Sequence, residues 1–242
     1  MGGSLGYRSE NHRDGDRVLQ TFKRADTISS LMDAASFPDA IRDAKATELD
    51  RLGSQQALVA LTDADLDAGT VLRAAARSEY TARETFAEWA DTAADADARE
   101  TFDALADEEG DHYDRIVAES DGEFAPADAD ADRMHDYLRS LDATVERAAG
   151  LVGRSLATDR TQLQVVNFFV NEADERRADL FRELRADTQE GVSTGADLLA
   201  AHCDGEDDWE RARETAEEVV QTAYDVYAET LEGMGLDPKP IC

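Results

Sequence analysis

The sequence of 242 residues predicts an all-α protein: a bundle of four long helices, with two short helices before it and a fifth long helix after it. Three observations point there. From Ser36 onward the chain is rich in Ala, Leu, Arg, Glu and Asp and poor in Ile and Pro, which favours helix over sheet. Apolar residues recur at intervals of three, four and seven, the spacing of one helix face. Short polar links separate these segments, as antiparallel helical hairpins require.

The elements follow in order. Ser36 and Asp39 form an S-x-x-D start with Pro38 in the first turn, opening a helix that runs to about Leu52 and stops at Gly53. A short helix covers Ser54 to Leu61, and Asp63, Asp65 and Asp67 then make a loop rich in capping residues. The first long helix spans about Ala68 to Ala93, with Leu72, Ala75, Ala76, Glu79, Arg83, Phe86 and Ala90 on one stripe. The second spans about Ala98 to Glu119, with Phe102, Leu105, Ala106, Glu109, Tyr113 and Ile116. The third is expected from about Asp130 to Leu156, carrying Met134, Leu138, Leu141, Val145, Ala149 and Val152. The fourth is expected from about Arg160 to Asp187, carrying Val166, Phe169, Val170, Ala173, Leu180, Phe181 and Leu184. The last runs about Asp207 to Glu232; Gly233 and Gly235 end it, and Pro238 and Pro240 prevent its continuation. Links near Ala94–Asp97 and Thr158–Thr161 are short and make hairpins, whereas Asp121–Ala129 is either a plain loop or an extended strap reaching ~30 Å.

Fifty-five acidic side chains face 25 basic ones, a net charge of -30, and Lys occurs only at positions 23, 45 and 239. Such a surface repels its neighbours and is tolerable where salt shortens the Debye length to ~3 Å at 1 M. It points to the cytoplasm of a salt-accumulating (halophilic) microbe, the rival reading being an acidic protein that binds cations or basic partners. The first 31 residues depart from this pattern, with five basic and four acidic residues, so the net charge lies wholly outside them. They are either a disordered tail or precede a true start at Met32, and residues 32–242 form a single helical domain. No apolar run is long enough for a membrane span, and no basic patch suits a nucleic-acid backbone. Cys203 and Cys242 lie far apart, which excludes a disulfide scaffold, a zinc ribbon and a rubredoxin-type iron site. A thiol role for either cysteine competes with an inert one.

Carboxylates stand where a core should be. Glu79 falls in the middle of the first long stripe, Glu109 does the same on the second, and His112 follows three residues later on its flank. Glu is almost never buried unless paired or bound to a metal. Counted from the turn between the two helices, Glu79 and the Glu109/His112 pair lie at similar distances and should meet at one level. Two Glu and one His converging in a helical hairpin make half of a carboxylate-bridged di-iron site. The competing reading pairs Glu79 with Arg83 and leaves His112 half-exposed. On the second hairpin Glu146, Glu172 and Glu175 are equidistant from the turn near residue 159. There Glu146 and Glu172 sit roughly 100° off their stripes. A π-bulge would swing them inward, and otherwise they are ordinary flank glutamates.

These residues resemble a known family. Glu79-Tyr-Thr-Ala-Arg83 followed by Phe86 is similar to the first-helix E-x-x-A-R-x-x-aromatic pattern of rubrerythrins, and Ala106-Asp-Glu-Glu109-Gly-Asp-His112 is similar to their second-helix A-E-E-E-x-x-H pattern. The resemblance covers residues 68–119; residues 130–187 resemble the second helical pair only in layout. It implies a ferritin-like four-helix bundle with Glu79, Glu109 and His112 as metal ligands, Glu109 bridging. Glu146, Glu172 and Glu175 stand for the second half of the set. The implied cofactor is iron, two ions per chain or one, with manganese as an alternative. The implied activity is peroxide or oxygen reduction, or iron oxidation, in oxidative-stress defence, with an external electron donor and a homodimer. The chain departs from the pattern in three ways. Glu175 stands where a second Glu-x-x-His would have His, there is no rubredoxin domain, and the Asp121–Ala129 link is short for a crossover. The alternative is a metal-free ferritin-like scaffold that binds a protein partner.

Overall fold

The computed structural model describes residues 1–2, 33–120 and 132–238. Contacts divide the chain into Met1–Met32 and Asp33–Cys242, and the described helices all belong to the second unit. The expectations for residues 3–31, for the link at 121–129 and for the Cys242 thiol fall outside the described residues.

The described residues form nine helices and no strand: α1 (Phe37–Ala44), α2 (Ala46–Leu52), α3 (Gln55–Leu61), α4 (Ala68–Thr92), α5 (Ala96–Ala118), α6 (Arg133–Arg139), α7 (Thr144–Asn171), α8 (Glu175–His202) and α9 (Glu206–Gly233). None of them is long and apolar enough to cross a membrane. Much of the local aspartate is structural. Asp67, Asp95, Asp132 and Asp174 each accept backbone N–H groups at the start of α4, α5, α6 and α8, which satisfies donors left unpaired in the first turn. Ser36 does not cap α1 through its side chain; its hydroxyl donates to Asp33 Oδ1 at 2.7 Å, and Asp39 pairs instead with Arg42. The single helix expected to Leu52 is broken at Lys45 into α1 and α2.

The second hairpin is not where the sequence places it. One helix, α7, runs through Thr158–Thr161, and the chain turns at Glu172–Asp174. The polar run contains no glycine or proline to break the helix, and its charges have partners on α8: Asp159 meets Arg185 at 2.9 Å and accepts from Gln189 at 2.8 Å. At the true turn Ala173 adopts φ 57°, and the Asp174 side chain accepts from Arg177 N. The segment assigned to the third long helix thus divides into α6 and the first half of α7.

Helix directions follow from the cross-links. Glu79 lies beside Gln162, and Trp89 and Thr92 lie beside Arg147, so α4 and α7 are antiparallel. His112–Asp187, Arg115–Glu183 and Glu119–Arg176 make α5 and α8 antiparallel. Since α4 and α5 form a tight hairpin, α5 and α7 run parallel. The connection from α5 to α7 contains α6 and is therefore longer than the expected 121–129. Between the four long helices lies a core of Val71, Leu72, Ile116, Val165, Phe169, Phe181 and Leu184. On the far side α9 packs against α7. Almost every residue of α7 from Arg147 to Thr158 is buried, as expected of a helix covered on all sides.

Close approach of α8 to α7 depends on Gly195. A Cβ there would meet Val152 Cγ2 at 2.7 Å and the Ala148 carbonyl at 2.8 Å. Gly195→Ala is therefore expected to destabilise the protein by about 1–3 kcal/mol. Gly233→Ala, at the last residue of α9 with nothing within 4 Å, should instead leave stability unchanged or raise it by up to about 1 kcal/mol. Urea unfolding followed by circular dichroism measures both.

Candidate metal centre

Helix α4 carries Glu79 on the face lined by Leu72, Ala75, Ala76, Ala82 and Phe86, and α5 carries Glu109 and His112 among Phe102, Leu105, Ala106 and Ile116. Burial of those apolar neighbours takes the three polar side chains into the interior, where they are 2, 4 and 3% exposed. One donor atom from each lies within 4.8 Å of the others. The sequence reading that brings these three to one level agrees with this placement. Arg83 does not join them: it is exposed, and the core position is Ala82. The expected Glu79–Arg83 alternative thus gives way to Gln162, whose Nε2 donates to Glu79 Oε1 at 3.4 Å.

Glu146, Glu172 and Glu175 stand elsewhere. Glu146 is in the first turn of α7, where its Oε2 accepts from Ala143 N at 3.2 Å. Glu172 is the exposed C-cap of α7, and Glu175 is the exposed first residue of α8. No π-bulge brings them inward; the turn at Glu172–Asp174 leaves the last two at one end of the bundle. The centre's partners from α7 and α8 are different residues. Arg154 Nη1 meets Glu109 Oε1 at 2.7 Å, and the guanidinium lies 5.1 Å over the Phe86 ring. Asp187 Oδ2 meets His112 Nε2 at 3.1 Å. His135 of α6 is buried beside the Arg154 charge and shares a 2.9 Å hydrogen bond between Nδ1 and Thr85 Oγ1.

Arg154 had a legible signal: it is the one charge in the apolar run Ala148–Ala157, and a buried arginine there demands an anion. Asp187 had none, being one aspartate among many on a half-exposed helix face.

The electrostatics follow from burial. Burial raises the Glu79 carboxyl well above the usual range, and the neighbouring Glu109 charge raises it further, against Arg154 and Gln162. Burial would raise Glu109 too, but the Arg154 guanidinium and His112 override it and hold this carboxylate well below the usual range. Burial lowers His112, yet the Glu109 and Asp187 carboxylates leave it raised overall. Burial pushes His135 down to about 4. Without a metal these directions favour protonation of Glu79 and of His112, which faces Asp187, beside an ionised Glu109–Arg154 pair.

With both carboxyls ionised, as ligation requires, these buried polar atoms have no hydrogen-bond partner among the protein groups: Glu79 Oε2, Glu109 Oε2, His112 Nδ1, Gln162 Oε1, Arg154 Nε and Nη2, Ser155 Oγ and His135 Nε2; in the metal-free protein a protonated Glu79 and a protonated His112 can each donate to Glu109. Buried polar groups nearly always have partners, so such a concentration calls for a ligand or ordered water. Three of the orphans are metal-donor atoms, one on each residue of the Glu79–Glu109–His112 group. A metal at about 2.1 Å from each would hold them no more than about 4.2 Å apart, a small closure from the present geometry. Asp187 engages Nε2 and leaves Nδ1 as the free ring nitrogen, the orientation that a carboxylate gives a metal-binding histidine. The residues present fit a metal ion. Comparison of the chain with protein-family models, with curated proteins and with solved structures found no match.

Two outcomes test this electrostatic picture. Arg154→Ala leaves the Glu109 charge buried and alone, and should cost about 3–5 kcal/mol in urea unfolding; adding Glu109→Gln should recover a large part of it. The second outcome concerns pH. Glu79 and His112 have raised folded-state pKa values, so the stability they contribute is full below their unfolded values and is lost as pH rises through the folded ones. The Glu79 part of this loss begins near ~4.3 and the His112 part near ~6.5; His135, lowered to about 4, works in the opposite sense up to ~6.5, so the urea midpoint of metal-free protein in EDTA should fall from about pH 6.5 upward, and Glu79→Gln should flatten that fall. A midpoint that rises with pH over the same range would contradict the assignment.

Proposed function

We propose that this chain is a ferritin-like bundle of rubrerythrin type whose Glu79, Glu109 and His112 hold iron, or manganese in its place. Its function would be reduction of peroxide or oxygen, or oxidation of iron, in defence against oxidative damage. The observation that carries this reading is His112: Asp187 engages Nε2, and Nδ1, without a partner, lies 3.8 Å from Glu109 Oε2, also without one. The parallel arrangement of α5 and α7 with one long connection supports the ferritin-like topology, which carries a single crossover. A donor set of two carboxylates and one imidazole, with no thiolate, suits iron or manganese. Bound there, the metal would supply one-electron redox chemistry and Lewis acidity.

The protein's own part is to position and insulate. Glu79 and Glu109 bring negative charge into a site closed to bulk water, Asp187 fixes the imidazole, and Gln162 orients Glu79 through its amide. Because the two cysteines suit no iron–sulfur site, electrons would come from an external donor. The acidic, lysine-poor composition supports a cytoplasmic setting at high salt.

A second reading is favoured by the Arg154–Glu109 pair. Together with a protonated Glu79 it makes the centre neutral without any ion, as a metal-free scaffold for a protein partner would need. Anaerobic loading of full-length protein with Fe(II), followed by desalting and elemental analysis, separates the two. The metal reading expects retained iron, its loss in His112→Ala, and an affinity about 10–100-fold weaker in Asp187→Asn. No retained iron in the wild-type protein, and no retained manganese when Mn(II) replaces Fe(II) in the loading, would contradict the metal reading.

A further inference from the structure

We propose that Arg154 takes the place of a second metal ion, so that the centre holds one divalent cation and one guanidinium where a carboxylate-bridged pair would hold two metals. The inference rests on the metal-binding reading above and adds the number of ions. A carboxylate that bridges two metals gives one oxygen to each. Glu109 has only one to give, because Oε1 accepts from Arg154 Nη1 at 2.7 Å while Oε2 faces His112 Nδ1 at 3.8 Å. Arg154 is 2% exposed and comes from α7, one of the two helices that would have to supply the remaining carboxylates. Among the described residues no carboxylate of α7 or α8 joins the Glu79–Glu109–His112 group. Asp187 reaches His112 on the opposite ring nitrogen, Nε2.

Charge leads to the same number. Ligation needs ionised carboxylates and a neutral imidazole, so the buried Glu79 and Glu109 carry two negative charges, the half-exposed Asp187 adds a third against His112, and Glu108, which also acts on His112, lies at the solvent side where water screens it. Arginine stays charged in protein interiors. Arg154 and one divalent ion therefore balance the site. Arg154 and two divalent ions would leave two uncompensated positive charges in a buried centre, where such an excess is strongly unfavourable. The guanidinium is also fixed in place. Its face lies over the Phe86 ring, a contact that adds attraction when desolvated, and its Glu109 partner comes from a different helix.

The test uses full-length protein, stripped with EDTA, loaded anaerobically with excess Fe(II), desalted, and then oxidised for electron paramagnetic resonance. The wild-type protein is expected to hold about one iron per chain and to give the signal of an isolated ferric ion. Arg154→Glu puts a carboxylate at the same point of α7 and is expected to hold about two, with most of that signal lost to coupling between the ions. Two irons per wild-type chain with a silent spectrum would overturn the inference and leave the metal reading intact. No iron on the wild-type chain would overturn both. A folded Arg154→Glu protein that still holds one iron would overturn the assignment to Arg154. If that variant does not fold, the wild-type count and spectrum decide alone.

Discussion

A carboxylate cannot stay in the interior of a helical bundle without a cation beside it, and the contact between Glu109 and Arg154 is this protein's answer. The two side chains come from parallel helices, α5 and α7, and meet at 2.7 Å. Each is nearly inaccessible to solvent, so removing either leaves a charge that water cannot reach. The rest of the centre is arranged around that pair. Burial, with the Glu109 charge beside it, raises the Glu79 carboxyl, His112 takes its orientation from Asp187, and Gln162 supplies an amide donor to Glu79. The pair also fixes how α5 sits against α7, and therefore how the α4–α5 hairpin sits against the α7–α8 hairpin.

Helix α7 makes this possible. It is covered by α4, α8 and α9, and its small residues let those helices come close. A Cβ at Gly153 would meet the Ala216 carbonyl of α9 at 2.7 Å, just as one at Gly195 would strike α7 from α8. At the end of the bundle away from the core cluster of Phe169 and Phe181, Arg147 donates to the carbonyls of Leu141 and Trp89 and to Thr92. Arg147 is met by three acceptors from neighbouring elements and Arg154 by the Glu109 carboxylate, which offsets the cost of burying two charges in one helix.

The first hairpin was legible in the sequence because its signals agree. Capping aspartates, a 3-4-7 apolar stripe and two glutamates in phase with it all describe α4 and α5. The second was not, because a polar run and a turn look alike in one dimension. Thr158–Thr161 reads as a break until Arg185 and Gln189 are seen to meet Asp159 across the helix pair. Moving the turn by about a dozen residues carried Glu172 and Glu175 from the expected site to the end of the bundle. It also hid Arg154 near the expected end of a helix, although a single charge within an apolar run was there to be noticed. Asp187 could be found only in three dimensions, since nothing local separates a second partner of His112 from the other aspartates of an acidic surface.

Glu79, Glu109 and His112 come together on the α4–α5 hairpin, and α7 and α8 bring Arg154, Gln162 and Asp187 against them. The central claim is that Glu79, Glu109 and His112 bind one metal while Arg154 stays on Glu109. The most direct measurement is an anomalous-difference map from crystals of the iron-loaded protein. The account predicts one peak bounded by these three side chains, with the Arg154 guanidinium still within hydrogen-bond distance of Glu109 Oε1. Two peaks, no peak, or a displaced Arg154 would contradict it.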